Sequence, residues 1–168
     1  MTFVKPNKTD ISKKSDLVET KEIFAKIIIK HFKPAGICLD PSSGLNNVFY
    51  NNLPEPKYRC EILDGLDYFD FNKKVDWIIT NPPYSLYDKF LLKSFEISEN
   101  IVFLVPLTKA FKSIKIDKAI EKYGGLKEVL HMGTGSTIGF PFGFPVGCLY
   151  YKKNYKGPIE FNRIYEFF

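Results

Sequence analysis

Little in this sequence points to a metal, a membrane or an oxidising compartment. Its three cysteines, Cys38, Cys60 and Cys148, are odd in number and widely spaced, with no CxxC pair. Neither a zinc site nor a disulfide framework is expected from them. Each lies in an apolar run, where a thiol packs as a small buried hydrophobe, and a reducing, cytoplasmic (intracellular) setting is expected. Histidine is scarce: His31 and His131 stand far apart, and no metal is expected. No apolar run approaches the roughly 18 residues of a membrane span. The opening Met1-Thr2-Phe3-Val4-Lys5-Pro6-Asn7-Lys8 lacks the apolar core of a signal peptide, so neither membrane association nor export is expected. No glycine-rich loop ends in a P-loop lysine, which argues against a nucleoside triphosphate site.

What is present is ordinary globular composition. Hydrophobic residues make up 45% and charged residues 26% of 168 positions, enough for one buried core. Residues 1–15 are polar and lysine-rich and read as a loose N-terminal arm. Residues 16–168 read as a single domain, with no room for a separate recognition domain, and a monomer or weak homodimer is expected. The net charge of +5 is unevenly spread: residues 41–80 carry 6 acidic and 4 basic groups, between two basic flanks. That pattern suits a cationic small molecule beside surfaces that tolerate an anion.

Strand and helix signals alternate. Asp16-Leu17-Val18-Glu19 has capping-box spacing, with Thr20 a second candidate cap, before the apolar positions Ile23, Phe24, Ile27 and Ile28. A helix ending near His31 is predicted. Short strands follow at 36–40, 58–62, 66–69 and 75–80, with a short helix at 45–51 and a longer one at 86–98. Ile101-Val102-Phe103-Leu104-Val105 reads as a central strand. A helix at 108–123, strands at 126–130 and 147–151, and an extra edge at 159–161 complete the pattern. Residues 133–147, rich in Gly, Pro and Phe, read as a long loop. This alternation predicts an α/β fold with a mostly parallel sheet covered by helices on both faces.

The strongest chemical signal is Asn81-Pro82-Pro83-Tyr84, directly after the strand at 75–80. Ligands of doubly wound sheets bind beyond the carboxyl ends of the strands. Two successive prolines fix two φ angles and remove two N–H donors. The stiff loop then holds the Asn81 side chain and the Pro82 carbonyl as two acceptors, enough for both hydrogens of an exocyclic amino group. Tyr84 offers a face on which a planar base stacks. Acceptors placed off the ring plane favour a more tetrahedral nitrogen and localise its lone pair for attack on a methyl group held in line. The bland alternative is a proline turn that merely ends a strand.

Two further signals accompany it. Leu39-Asp40-Pro41-Ser42-Ser43-Gly44 ends the first strand with an acid and a glycine turn opening a helix, which is nucleotide-cofactor geometry. Glu61, Asp64 and Asp67 form an acidic cluster. Glu61, ending the second strand, has the position from which a carboxylate accepts both ribose hydroxyls. Asp67, before Tyr68 and Phe69, has the chemistry to accept from an adenine amino group while the aromatics pack on the ring. Asp64 reads better as part of a solvated turn.

In this order the signals resemble the S-adenosylmethionine-dependent amino-methyltransferases, above all the small, phage-type DNA adenine-N6 methyltransferases. The resemblance covers roughly residues 16–152, and only the NPPY box is highly specific. It implies a Rossmann-like class I methyltransferase fold with a seven-stranded sheet, S-adenosylmethionine as cofactor and DNA as partner. It places Asn81, Pro82, Pro83 and Tyr84 in the catalytic loop, with Asn81 also expected against the cofactor and Tyr84 against the substrate base. Asp40, Pro41 and Gly44 would hold the methionine half of the cofactor, Glu61 its ribose, and Asp67 and Tyr68 its adenine. Thr20 or Lys21 would reach the cofactor carboxylate. The sequence departs from the family in having Asn46 where a second glycine usually stands. Asn tolerates positive φ better than most residues. The link between the second and third strands is also shorter than the family's.

Two surface features bear on nucleic acid. Lys109, Lys112, Lys115, Lys118 and Lys122 share a broad face of the helix predicted at 108–123, and a solvated charged face is the stronger reading. Gly139-Phe140-Pro141-Phe142-Gly143-Phe144-Pro145 places three phenylalanines in a predicted loop, with Phe140 and Phe142 the candidates to contact a flipped base. The expected function is methyl transfer to adenine N6 in DNA. The alternatives are RNA adenine or protein glutamine methylation, or a binding protein without catalysis.

Overall fold

The computed structural model describes residues 18–165. The arm at 1–15, and Asp16 and Leu17 of the capping box, lie outside the described residues. Helix α1 (Glu22–Phe32) starts after the Val18–Lys21 segment, with Lys21 in an extended conformation. It turns Phe24, Ala25, Ile28 and Phe32 inward and ends at Lys33, a left-handed residue whose N–H bonds the Ile29 carbonyl. Strand β1 (Cys38–Asp40) is followed by the short helix α2 (Val48–Asn52) and β2 (Lys57–Arg59). Then come β3 (Val75–Thr80), α3 (Tyr87–Ile97), β4 (Ser98–Pro106), α4 (Ile114–Tyr123), β5 (Gly124–Thr134), β6 (Pro145–Lys153) and β7 (Glu160–Arg163).

The seven strands form one mixed, mostly parallel sheet in the order β2-β1-β3-β4-β6-β5-β7. Strands β1 to β4 run parallel, β6 runs antiparallel between β4 and β5, and β7 pairs parallel to β5 at the edge. Period-2 alternation splits the apolar residues between two layers. Ile78, Ile101, Phe103, Leu149 and Tyr151 join the cluster that holds Phe90 and Leu91 of α3 and Ile116 and Ile120 of α4. Ile79, Val102, Leu104, Cys148 and Tyr150 join the cluster of Phe24 and Ile28 of α1 and Phe49 of α2. Helices thus cover both faces, and all three cysteines are buried and free.

Three predicted elements differ. The strand at 66–69 reduces to a single bridge between Glu61 and Leu66, and then a 3-10 turn over Tyr68–Asp70. Asp67 caps that turn by accepting the Phe69 N–H, which competes with strand pairing. The helix at 108–123 divides into a 3-10 segment, Leu107–Phe111, and α4, because the Ser113 side chain caps Ile116 and starts a new helix. The five lysines therefore do not share one helix face. The helix at 45–51 starts only at Val48, after Asn47, which is left-handed with φ 50°. Positive φ falls on Asn47 and not on Asn46.

Candidate functional site

The chain leaves β1 for β2 on one side and then crosses back to β3 on the other. The carboxyl ends of β1 and β3 are therefore the topological switch point of the sheet, where α/β folds open a crevice. A pocket of about 390 Å³ opens there, within the roughly 300–1,000 Å³ usual for small-molecule sites.

One rim is the turn after β1. Pro41, Ser42, Ser43 and Gly44 line the pocket, with Gly44 at φ +66°, a conformation that favours glycine. Glu61 ties this turn to the end of β2. Its Oε2 accepts the Gly44 N–H at 2.8 Å and its Oε1 accepts the Leu63 N–H at 3.1 Å. Each carboxylate oxygen can accept a further hydrogen bond, and Glu61 lines the pocket. Ile62, Leu63, Tyr68, Phe69, Leu86 and Phe90 supply an apolar wall beside Asp67. The Tyr68 hydroxyl shares a buried hydrogen bond with Ser94 Oγ at 2.8 Å.

The opposite rim is Val18, Glu19 and Thr20. This strap is held at two points. Asn81 Nδ2 donates to the Val18 carbonyl at 2.8 Å and to Thr20 Oγ1 at 3.2 Å. Asn46 Nδ2 donates to Glu19 Oε2 at 3.0 Å. The residue that departs from the family pattern thus latches the strap to the β1 turn. With its amide hydrogens so engaged, Asn81 keeps its Oδ1 as a buried acceptor that no described group satisfies. An unsatisfied buried acceptor costs roughly 1–3 kcal/mol, a cost that a donor brought by a ligand would relieve.

Among the described residues that line the pocket there is no lysine or arginine, whereas Glu19, Glu61 and Asp67 contribute carboxylates. The pocket therefore favours a cation over an anion. Asp40 does not line it. That side chain is fully buried beneath the turn and accepts from Thr80 Oγ1 at 2.7 Å, from the Tyr50 N–H at 3.1 Å and from the Ser42 N–H at 3.3 Å. Burial pushes its carboxyl up to about 7, against the lowering effect of those donors. Asp40 braces the ends of β1 and β3 and the start of α2. Asp64, as read from the sequence, sits in an exposed turn and pairs with Arg59 at 2.7 Å.

Pro83 lines the pocket, whereas Pro82 is buried and is not among the lining residues. Tyr84 stands outside the lining. Its carbonyl accepts from Lys109 Nζ at 2.9 Å, and its ring meets Phe142 edge-on at 6.0 Å. Phe140 is not available to a substrate: it is only 3% exposed, within the apolar cluster under α1 and α2. Phe142 is half-buried, and the exposed ring of the loop is Phe144. Sequence reasoning missed Glu19 and Phe90 as lining residues. Phe90 carried only a core signal, because one helix face serves both core and pocket.

The fold is that of the class I methyltransferases. A Listeria monocytogenes protein assigned to the class I S-adenosylmethionine-dependent methyltransferases superposes with a TM-score of 0.65 at 15% identity, over 86% of this chain and 64% of its own. A Vibrio vulnificus chain assigned as the modification subunit of a type I restriction enzyme gives 0.65 at 15%, over 92% and 48%. A Pyrococcus horikoshii protein assigned as an RNA methyltransferase gives 0.58 at 18%, over 91% and 93%. This chain thus spans about two thirds and one half, respectively, of the first two. No protein-family model and no curated protein matches the sequence.

Proposed function

We propose that this protein transfers a methyl group from S-adenosylmethionine to the N6 amino group of adenine in DNA. One observation carries the reading: Asn81 presents a buried, unsatisfied Oδ1 at the pocket wall, while Val18 and Thr20 hold its Nδ2. That arrangement supports a reading in which the oxygen end of the amide faces a substrate. It is an acceptor, as a donating amino group requires.

The pocket suits the cofactor by chemistry as well as size. Its carboxylates match a sulfonium cation, Glu61 has lone pairs left for two ribose hydroxyls, and the apolar wall beside Asp67 suits an adenine ring. Thr20, Ser42 and Ser43, with backbone of the Gly44 turn, would hold the amino-acid end. When bound, S-adenosylmethionine supplies an electrophilic methyl group on sulfur.

The residues of this chain do the remaining work. Asn81 Oδ1 accepts one N–H of the target amino group, and the Pro82 carbonyl is the second acceptor. Both draw the nitrogen toward a tetrahedral shape and orient its lone pair. Tyr84 stacks on the target base. The target nitrogen would give up a proton only after it has accepted that methyl group. No carboxylate base is needed before transfer, so an amide serves at this position.

The test is methyl transfer from labelled cofactor to DNA, RNA and protein in parallel. DNA labelling is expected, lost in Asn81→Ala with cofactor binding largely kept. Label in RNA alone, or none anywhere despite tight cofactor binding, would refute the reading.

A further inference from the structure

Three large apolar side chains stand in water on segments that reach the Tyr84 loop: Phe111 is 78% exposed, Ile114 74% and Phe144 51%. They belong to two segments that both hold the Tyr84 loop. In the first, Phe144 stacks face to face on Phe142 at 4.6 Å and 14°, and Phe142 meets Tyr84 edge-on at 6.0 Å. A series of rings thus leads from the catalytic loop to solvent, and one face of the last ring is covered by Phe142. In the second, Lys109 Nζ donates to the Tyr84 carbonyl at 2.9 Å and Lys112 Nζ to Asp88 Oδ2 at 2.8 Å, in the first turn of α3. Phe111 lies between these two lysines in sequence, and Ile114 just after them.

Scattered apolar residues on a surface are ordinary. Here they flank the loop that would receive a base, and their setting is basic. Residues 107–118 contain four lysines, Lys109, Lys112, Lys115 and Lys118, against the single acid Asp117. Exposed rings beside lysines make up the chemistry of single-strand recognition. The rings stack on bases of any identity and the cations track the phosphates. Bases within a duplex already stack on one another and must leave that stack before they can use a protein ring.

We infer that the two segments form a stacking clamp for an unpaired polynucleotide strand. Bases flanking the target lie on Phe144 and Phe111, and phosphates lie near Lys115 and Lys118. The inference rests on the methyl-transfer reading and narrows its substrate to unpaired rather than duplex nucleic acid.

Fluorescence anisotropy of the full chain tests it. The probes are one labelled adenine-containing oligonucleotide as single-stranded DNA, as RNA and as duplex DNA, together with a glutamine-bearing peptide. The single strand is expected to bind at least about tenfold more tightly than the duplex. Phe111→Ala and Phe144→Ala should each weaken single-strand binding roughly 5- to 100-fold, with Phe144→Tyr close to wild type. Calorimetric affinity for S-adenosylhomocysteine should not change in any of them, which reports an intact fold. Equal binding of duplex and single strand, unchanged binding in both alanine variants, or binding of the peptide alone overturns the clamp. Tighter binding of RNA supports the clamp and moves the substrate from DNA to RNA. The two readings fail separately. Strand binding that the variants weaken, with no methyl transfer to any oligonucleotide, keeps the clamp and removes the methyl-transfer reading. Duplex methylation undiminished in both variants does the reverse.

Discussion

Glu61 Oε2 accepts the Gly44 N–H at 2.8 Å, so one carboxylate that faces the pocket also sets the position of the turn across it. The same side chain holds Leu63 through its other oxygen. Glu61→Ala removes both anchors and the proposed ribose acceptor together. Affinity for S-adenosylhomocysteine should fall at least about tenfold, from hydrogen bonds to a charged group worth roughly 1.5–3 kcal/mol. Titration calorimetry reads this directly, and an unchanged affinity would place the ribose elsewhere.

Tyr84 lies outside the pocket that would take the cofactor, although it directly follows the prolines. Tyr84→Ala should therefore lower kcat/KM for methyl transfer roughly 5- to 100-fold, the effect of losing one base–aromatic stack. Cofactor affinity should stay within about twofold, because no pocket wall is removed. Tyr84→Phe keeps the ring and should keep most activity. Equal losses in turnover and cofactor affinity would show that Tyr84 acts through the pocket.

Asp40 gives the stability a pH dependence of unusual sign for a carboxylate. Burial raises its folded-state value to about 7, from 3.8. Between those values the folded state holds a proton that the unfolded chain has released. The contribution of this group to stability is therefore largest at low pH and declines as pH rises from about 4 to about 7. The midpoint of thermal unfolding should fall by several degrees between pH 5 and pH 8, at about 2–4 °C per kcal/mol for a chain of this size. Asp40→Asn removes the titration and should flatten that slope. It should also lower stability at pH 5, because Asp40 bridges Thr80, Ser42 and Tyr50.

Gly135 has ordinary helical backbone angles, φ −53° and ψ −45°, so only space restricts this position. A Cβ there would overlap the Phe142 ring and carbonyl. Gly135→Ala should cost about 1–3 kcal/mol, the usual range for overpacking, measured by urea unfolding. It should also displace the ring that meets Tyr84 and raise KM for the proposed nucleic-acid substrate. Wild-type stability in this variant would show that the 139–145 loop yields without consequence.

Several features of the site were legible in the residues because local chemistry dictates them. Two prolines after a β-branched strand make a rigid loop wherever they occur, and Asn81 stands at the pocket wall as read from the motif. Glu61 followed from its position at the end of a predicted strand, and Asp67 from the aromatic pair Tyr68 and Phe69 that follows it. Asp40 was marked by the same logic, but whether a strand-end acid faces a ligand or the interior depends on what packs over it. Thr80, forty residues away in sequence, is one of three donors that meet its buried carboxylate, beside Ser42 and Tyr50.

Composition and periodicity determined an α/β sheet with helices on both faces, because apolar residues at spacings of two and three to four leave few other ways to bury them. Where an isolated stretch had two local solutions, tertiary structure chose. Ser113 capped a second helix instead of extending the first. Asp67 capped a 3-10 turn instead of joining a strand. Phe140 went to the core and left Phe144 in water, although the three phenylalanines of that loop are alike in sequence. The latch of Asn46 on Glu19, and the hold of Asn81 on Val18 and Thr20, exist only once the strap before α1 crosses the switch point. They join residues far apart in the chain, and no local propensity encodes which distant partner a side chain will meet.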